Sequence, residues 1–470
     1  MTSTQLRYGT LSLAMLLGTS VATAPVLSAA GTRLPRLVRA NPMDEFRGWL
    51  MPLVDTLIDE DDALDPFMEG SYWEADGAGW NVAKHVFTPD GGDGPYAPVA
   101  ALYRLGGERN TTIADLAVEH ELQLLRDLAE KAAIGSAAAA TKAVLNNWNP
   151  ASGTPQDLVI ALKQTLAAEA SATVAALFED PDLFFAAVTG MPVLIEGAEH
   201  YTGPFITRVV AKKTIATLAA AVSLAVIVAP EKVEEAIAGT GLDYSLTVLG
   251  SQVAKYDMLL ADATSSPAYD LLGVAVINLI QEGAWNQSTG HYESAGGGIY
   301  IWELPQLLGS LGQAYRVPAL TPSQHALREL FKERVDSTFD YLETHGYWQD
   351  LHLNGQSLGA YEPWYGGKLN PYLSSIYLFL DASVEWYAGL RRAANAADRA
   401  LADLHQQRII KMLRFNRLLM VNPAHGVMDH DVLIASDLHV ESRSSAWPVG
   451  CMGCNFWVIL DFLRMDQILS

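Results

Sequence analysis

Residues 346–387 read GYWQDLHLNGQSLGAYEPWYGGKLNPYLSSIYLFLDASVEWY, and this stretch decides the fold. Its first half sets Tyr347, Trp348, Tyr361, Trp364 and Tyr365 among His352, Asn354, Gln356, Glu362 and Lys368. The glycines and Pro363 there predict a loop. The second half predicts a helix. Asn370 is its cap, and Pro371 stands in the first turn, where a missing N–H costs nothing. Leu373, Ile376, Tyr377, Leu380 and Val384 then fall on one face. A polar, aromatic loop feeding a buried helix supplies a floor for a sugar-like ligand.

Outward from this stretch the same apolar spacing recurs over 46–58, 113–145, 156–178, 246–262, 268–282, 304–315 and 321–345. Thr321-Pro322-Ser323-Gln324 is a capping-box start. The segment 432–440 predicts a strand and 455–463 a buried closing helix. An uncharged, Ala-rich run over 214–230 falls short of the roughly 20 residues of a bilayer span and predicts a fully buried inner helix. No repeat and no linker interrupts the chain. A string of helical hairpins this long predicts an all-α, single-domain (α/α) toroid over 31–470, with inner helices apolar nearly all round and loops at one end lining a cleft.

Half of the 470 residues are apolar and 18% are charged, which excludes global disorder. A net charge of −22 argues against nucleic acid as a partner and leaves a polyanion unwelcome without a local basic patch. Arg7, the apolar LSLAMLLG and Ser28-Ala29-Ala30 predict a cleaved signal peptide over 1–30, hence an extracytoplasmic protein with no stable membrane span after cleavage. Cys451 and Cys454 are too few for a zinc site on their own, and in an oxidising compartment they predict a small local disulfide. No cofactor is expected, although a divalent cation stays open.

From 298 to 387 the order of parts resembles the helical domain of alginate-lyase-type polysaccharide lyases. The similar parts are an aromatic, Gly-rich loop, the helix ending over 307–315, the capped helix 321–345, a His/Asn loop and a further apolar helix. That family places Asn and His side by side in the second loop, whereas here Leu353 separates His352 from Asn354. The resemblance implies β-elimination on a uronic-acid glycan, an extracellular polysaccharide being the expected partner. Its later tyrosine corresponds to Tyr361 or Tyr365.

Elimination needs the substrate carboxylate neutralised, a base for the C5 proton and an acid for the leaving oxygen. His352, Asn354, Gln356, Tyr361 and Tyr365 supply those groups, and His291 with Tyr292 supplies a second His–Tyr pair. Trp285, Trp302, Trp348 and Trp364 offer flat faces for sugar rings, with Asn286, Lys368, Asn147 and Trp148 as further binding candidates. Hydrolysis instead needs two carboxylates across a cleft. Glu303, Asp350 and Glu362 lead that set, with Asp76 and Glu293 behind. Two further readings compete: a glycan-binding protein without catalysis, and a terpenoid-synthase-like enzyme suggested by Asp61, Asp62 and Asp65. For any single aromatic residue, packing within a lid outranks a role in catalysis.

Overall fold

The computed structural model describes residues 41–59, 96–148, 153–240, 244–294, 298, 302–392, 396–424, 426–444 and 452–470. The predicted signal segment, the run holding Asp61, Asp62 and Asp65, Asp76, and Cys451 lie outside the described residues. Cys454 is disulfide-bonded.

The helices, in chain order, are α1 (Asp44–Asp59), α2 (Tyr96–Leu105), α3 (Glu108–Ala129), α4 (Ala132–Asn146), α5 (Pro155–Thr165), α6 (Ala167–Leu177), α7 (Pro181–His200) and α8 (Phe205–Val228). There follow α9 (Pro230–Thr240), α10 (Leu246–Thr264), α11 (Pro267–Ala284), α12 (Glu303–Arg316), α13 (Pro322–Thr344), α14 (Leu373–Arg391), α15 (Ala396–Phe415) and α16 (Met452–Leu469). Helices α2, α7, α10, α12, α14 and α16 each pack on the next, and α16 packs on α2, so the six close a ring. Helices α3, α8, α11, α13 and α15 lie outside it, each joined to the inner helix before it by a short turn. This is an all-α (α/α) toroid.

The inner helices run the same way. Ser245, the N-cap of α10, donates to Glu303 at the start of α12 (2.5 Å). Between α14 and α16, Tyr377 stacks on Trp457 near their starts and Asp381 meets Arg464 further along. Near the ends of α2 and α7, Arg104 donates to Glu196 (3.2 Å). The turns from inner to outer helices therefore lie at one end of the ring. The chain returns to the other end, where the inner helices start; we call this end the mouth.

The longest connections carry the sheets. Strands β1 (Trp285–Asn286) and β2 (His291–Tyr292) pair, as do β3 (Trp348–Leu353) and β4 (Gln356–Tyr361). Strand β5 (Lys368–Leu369) joins β6 (Asp431–Ala435) and β7 (Val440–Ser444). The predicted loop over 346–361 is thus a hairpin, turning on Asn354 (φ 52°) and Gly355 (φ 76°). A two-residue turn with positive φ at both positions is the one that suits the strand twist, and Asn-Gly is its favoured pair. The expected Asn370 cap also fails: Tyr372 bridges to Asp431, and α14 begins at Leu373, whose N–H donates to the His430 carbonyl (2.7 Å).

Two long predicted helices are broken. The 113–145 run divides into α3 and α4, and the 156–178 run into α5 and α6, which bend by 85°. The apolar run over 214–230 lies in α8, outside the ring rather than within it. Its burial comes from α4, α5, α6 and α9, which cover its outer side. Its most apolar window is 72% buried, as suits a core helix. The Thr321 capping box forms as expected, with Gln324 N–H donating to the Thr321 hydroxyl and Thr321 N–H to the Gln324 side chain.

Two contacts set how closely the helices approach. A Cβ on Gly312 of α12 would stand 2.9 Å from the Glu385 carbonyl carbon and the Trp386 nitrogen of α14, both backbone atoms. Gly312→Ala must push the helices apart and should cost about 1–3 kcal/mol in chemical denaturation. Glu121 of α3 lies 3% exposed against Gly190 of α7, with no cation beside it among the described residues. Burial pushes its carboxyl up to about 8 from 4.5. The folded state therefore holds a proton that the unfolded chain releases first, and this share of stability is full at low pH and lost as pH rises towards 8. The unfolding midpoint should fall between pH 5 and 8, and Glu121→Gln should flatten that slope.

Candidate active site at the mouth

The structure does not gather the residues proposed for elimination. His352 is exposed on β3, its Nε2 meeting the Ser357 hydroxyl (3.2 Å). Asn354 is exposed at the turn, where its task is conformational. Tyr361, at the other end of the hairpin, lies in apolar packing. Its ring lies 1% exposed against Phe379 (4.6 Å), Trp348 (4.8 Å) and Phe339 (5.9 Å), and its hydroxyl has no partner among the described residues. The register sets Tyr361 opposite Trp348 at the base of the hairpin and His352 opposite Ser357 near its turn, about 13 Å further along the strands, so these three do not converge. Tyr365 is 67% exposed on the tight turn to Lys368, and Lys368 is paired to Glu441 of β7. Gln356 accepts from Arg417 beside the Arg414–Glu45 pair.

The second His–Tyr pair is structural too. His291 is buried and stacked on Tyr341 of α13 (3.6 Å). The Tyr292 hydroxyl donates to Gln281 of α11 (3.0 Å). Trp285 carries the Arg334 guanidinium over its ring (4.9 Å), and Asn286 donates to Glu293 (2.9 Å). The Trp348 ring lies on Gly359, where a Cβ would come within 2.4 Å of it. Asn147 donates to the Ala143 carbonyl at the end of α4, and Trp148 covers Gly153, so this pair belongs to the outer layer. Asp350 is exposed on β3 and bound to Lys411 of α15 (2.7 Å).

What remains is at the mouth. Glu303 and Glu362 stand where two adjacent inner helices begin. Glu303 is the first residue of α12, 4% exposed, where the helix dipole favours a carboxylate. Glu362 follows β4 and is also 4% exposed; its carboxyl accepts the Asn370 N–H just before α14, while Oε2 has no partner among the described residues. Burial pushes the Glu362 carboxyl up to about 8, against the lowering by that N–H. It thus holds a proton at neutral pH. Trp302 precedes Glu303 and Trp364 lies two residues past Glu362, both half-buried. Tyr372 and His430 meet edge to face at 5.7 Å beside the start of α14, and Asp431 Oδ1 is buried without a partner among the described residues. His430 and Asp431 were missed because the predicted strand began one residue after them. The paired strand starting at Asp431 is the only signal that could have drawn them in.

Below the mouth, the ring axis holds an ion network that sequence reading also missed. Asp381 accepts from Lys255 (2.8 Å) and Arg464 (2.6 Å), while Glu385 is paired with Arg316 (2.9 Å) and with Arg464. Burial would raise the Asp381 carboxyl, but the two cations outweigh it and hold it below the usual range. Buried Asp461 is pushed the other way, by burial and then by the Asp381 charge, and keeps its proton. Lys255 also faces the Trp457 ring (5.2 Å), which stacks on Tyr377 and touches Tyr96. The charged residues of this network come one or two from each of four helices, so no local motif announces them.

No protein-family model and no curated protein matches the chain. Similar solved structures include one described as a polysaccharide lyase, with 12% identity and a TM-score of 0.43 over 88% of this chain and 99% of that one. Another is a glycosyl hydrolase family 88 protein from Bacteroides vulgatus, with 12% identity and a TM-score of 0.31 over 64% of this chain and 90% of that one. Likeness of this order carries no information about chemistry.

The placement of the hairpin residues has a measurable consequence. Tyr361→Phe removes a buried hydroxyl without a partner and should leave stability unchanged or raise it by about 1 kcal/mol. His352→Ala, exposed near the turn, should stay within about 0.5 kcal/mol of the parent. A Tyr361→Phe loss of several kcal/mol in denaturant titration would show that the hydroxyl has a partner after all.

Proposed function

We propose that the protein is a carbohydrate-active enzyme that cleaves a glycosidic bond by general acid catalysis, with Glu362 giving its proton to the leaving oxygen. The observation that carries this is a buried carboxyl at the mouth of the ring with one oxygen unpartnered among the described residues, where burial pushes its pKa up to about 8. That is the state a general acid needs before the bond breaks. Glu303, across the boundary between α12 and α14, is the second carboxylate, serving as nucleophile or as base for water. Trp302 and Trp364 supply apolar faces for the sugar rings on either side. The N-terminal apolar run and its small-residue stop support export, where a glycan substrate is met.

Hydrolysis is favoured over elimination because both surviving carboxylates are at the mouth, whereas His352, Asn354 and Tyr361 are divided between solvent and core. One observation supports elimination as a second reading: Tyr372 and His430 place a phenol and an imidazole beside the same helix start. An ultraviolet scan of the products separates the two, since elimination leaves a conjugated double bond and hydrolysis does not.

Glu362→Gln should keep substrate binding and lower turnover by about 10²–10⁴-fold. The parent's rate should fall as pH rises through about 8, where Glu362 loses its proton, and the variant should lack that limb. Turnover within threefold of the parent would remove Glu362 from the mechanism.

A further inference from the structure

We infer that the mouth takes an uncharged, hydroxyl-rich sugar and excludes a uronate; this rests on the glycan-cleaving reading above. A bound carboxylate needs a cation or a set of free donors, because a buried charge without a partner is costly. The described residues provide no free cation there. On the inner helices, Arg104, Arg316, Arg391 and Arg464 lie in the last turns or final third, away from the mouth. Lys255, midway along α10, is already held by Asp381 and covered by Trp457. On the mouth sheet, Lys368 is paired with Glu441, and Arg443 donates to Asp429 (2.8 Å).

The mouth instead presents acidic groups. Glu303, Glu362 and Asp431 lie at or beside the starts of α12 and α14, and Asp431 Oδ1 is a buried acceptor with no donor among the described residues. Sugar hydroxyls donate to such an oxygen, whereas a substrate carboxylate would be repelled by it. At the two helix starts beside these groups the protein's own carboxyls meet the dipole: Glu303 stands in the first turn of α12, and Glu362 takes the N–H ahead of α14. The chain's net charge of −22 adds a long-range field of the same sign.

The test offers uncharged oligosaccharides and oligouronates in parallel to the full-length protein. Reducing-end release is measured for the parent and Glu362→Gln, and calorimetric binding is measured at low and raised salt. Uncharged sugars should bind with affinity independent of salt and be cleaved, oligouronates should do neither, and Asp431→Asn should weaken binding about tenfold. Cleavage of an oligouronate that is lost in Glu362→Gln overturns this inference and leaves the general-acid reading standing. Binding and cleavage of neither class overturns both.

Discussion

The ion network on the ring axis is the constraint from which the rest follows. Six parallel helices enclose a space that their short turns cannot fill, and Asp381, Glu385, Lys255, Arg464 and Arg316 fill it from α10, α12, α14 and α16. Such a network is weak evidence for stability, because desolvation offsets most of the attraction. Its effect lies in the asymmetry. Removing one member leaves a buried charge uncompensated, at roughly 3–5 kcal/mol, so the helices are held in one register. Gly312 against the α14 backbone sets the separation, and the ion pairs set the height.

That register gives the ring two unlike ends. Basic residues close the inner helices where the dipole is negative, as Arg104, Arg316 and Arg391 do. Carboxylates stand at the starts of α7, capped by Asp180, and of α12, with Glu303. The same polarity therefore accommodates acidic groups at the end where the chain returns to the inner helices. Loops on a rigid frame are where chemistry is commonly housed, and here the frame also biases which chemistry.

The toroid was legible in the sequence because helical spacing and capping are local. Thr321 and Gln324 announce α13 within four residues, and Leu373 to Val384 announce α14 without reference to any neighbour. Layer assignment was not legible. The 214–230 run is as apolar as an inner helix, yet α8 owes its burial to helices stacked outside it, a fact carried by distant residues. The site was half legible. Glu303, Glu362, Trp302 and Trp364 were found by residue type beside a helix start. The axis network was invisible, since its members lie on helices that meet only once the ring is closed.

The misreading of the aromatic stretch has a single physical origin, and it explains where the acid stands. Asn354-Gly355 was read as part of a polar loop, when flanking residues paired across it make it a hairpin turn. Once β3 and β4 form, His352 stands near the exposed turn and Tyr361 at the base of the hairpin against Phe339 and Phe379, and aromatic density there measures packing on α13 and α14 rather than ligand contact. The strand then has to stop. Gly366 and Gly367 turn the chain back into β5, and Glu362 is the first residue past the last strand pair, Trp348 with Tyr361. It is therefore free of the strand pairing that fixes its neighbours and accepts the N–H before α14. A buried carboxyl at that point meets no cation, because the basic residues of the inner helices sit at mid-height or at the far end. Its retained proton is thus a consequence of ring polarity and strand length together.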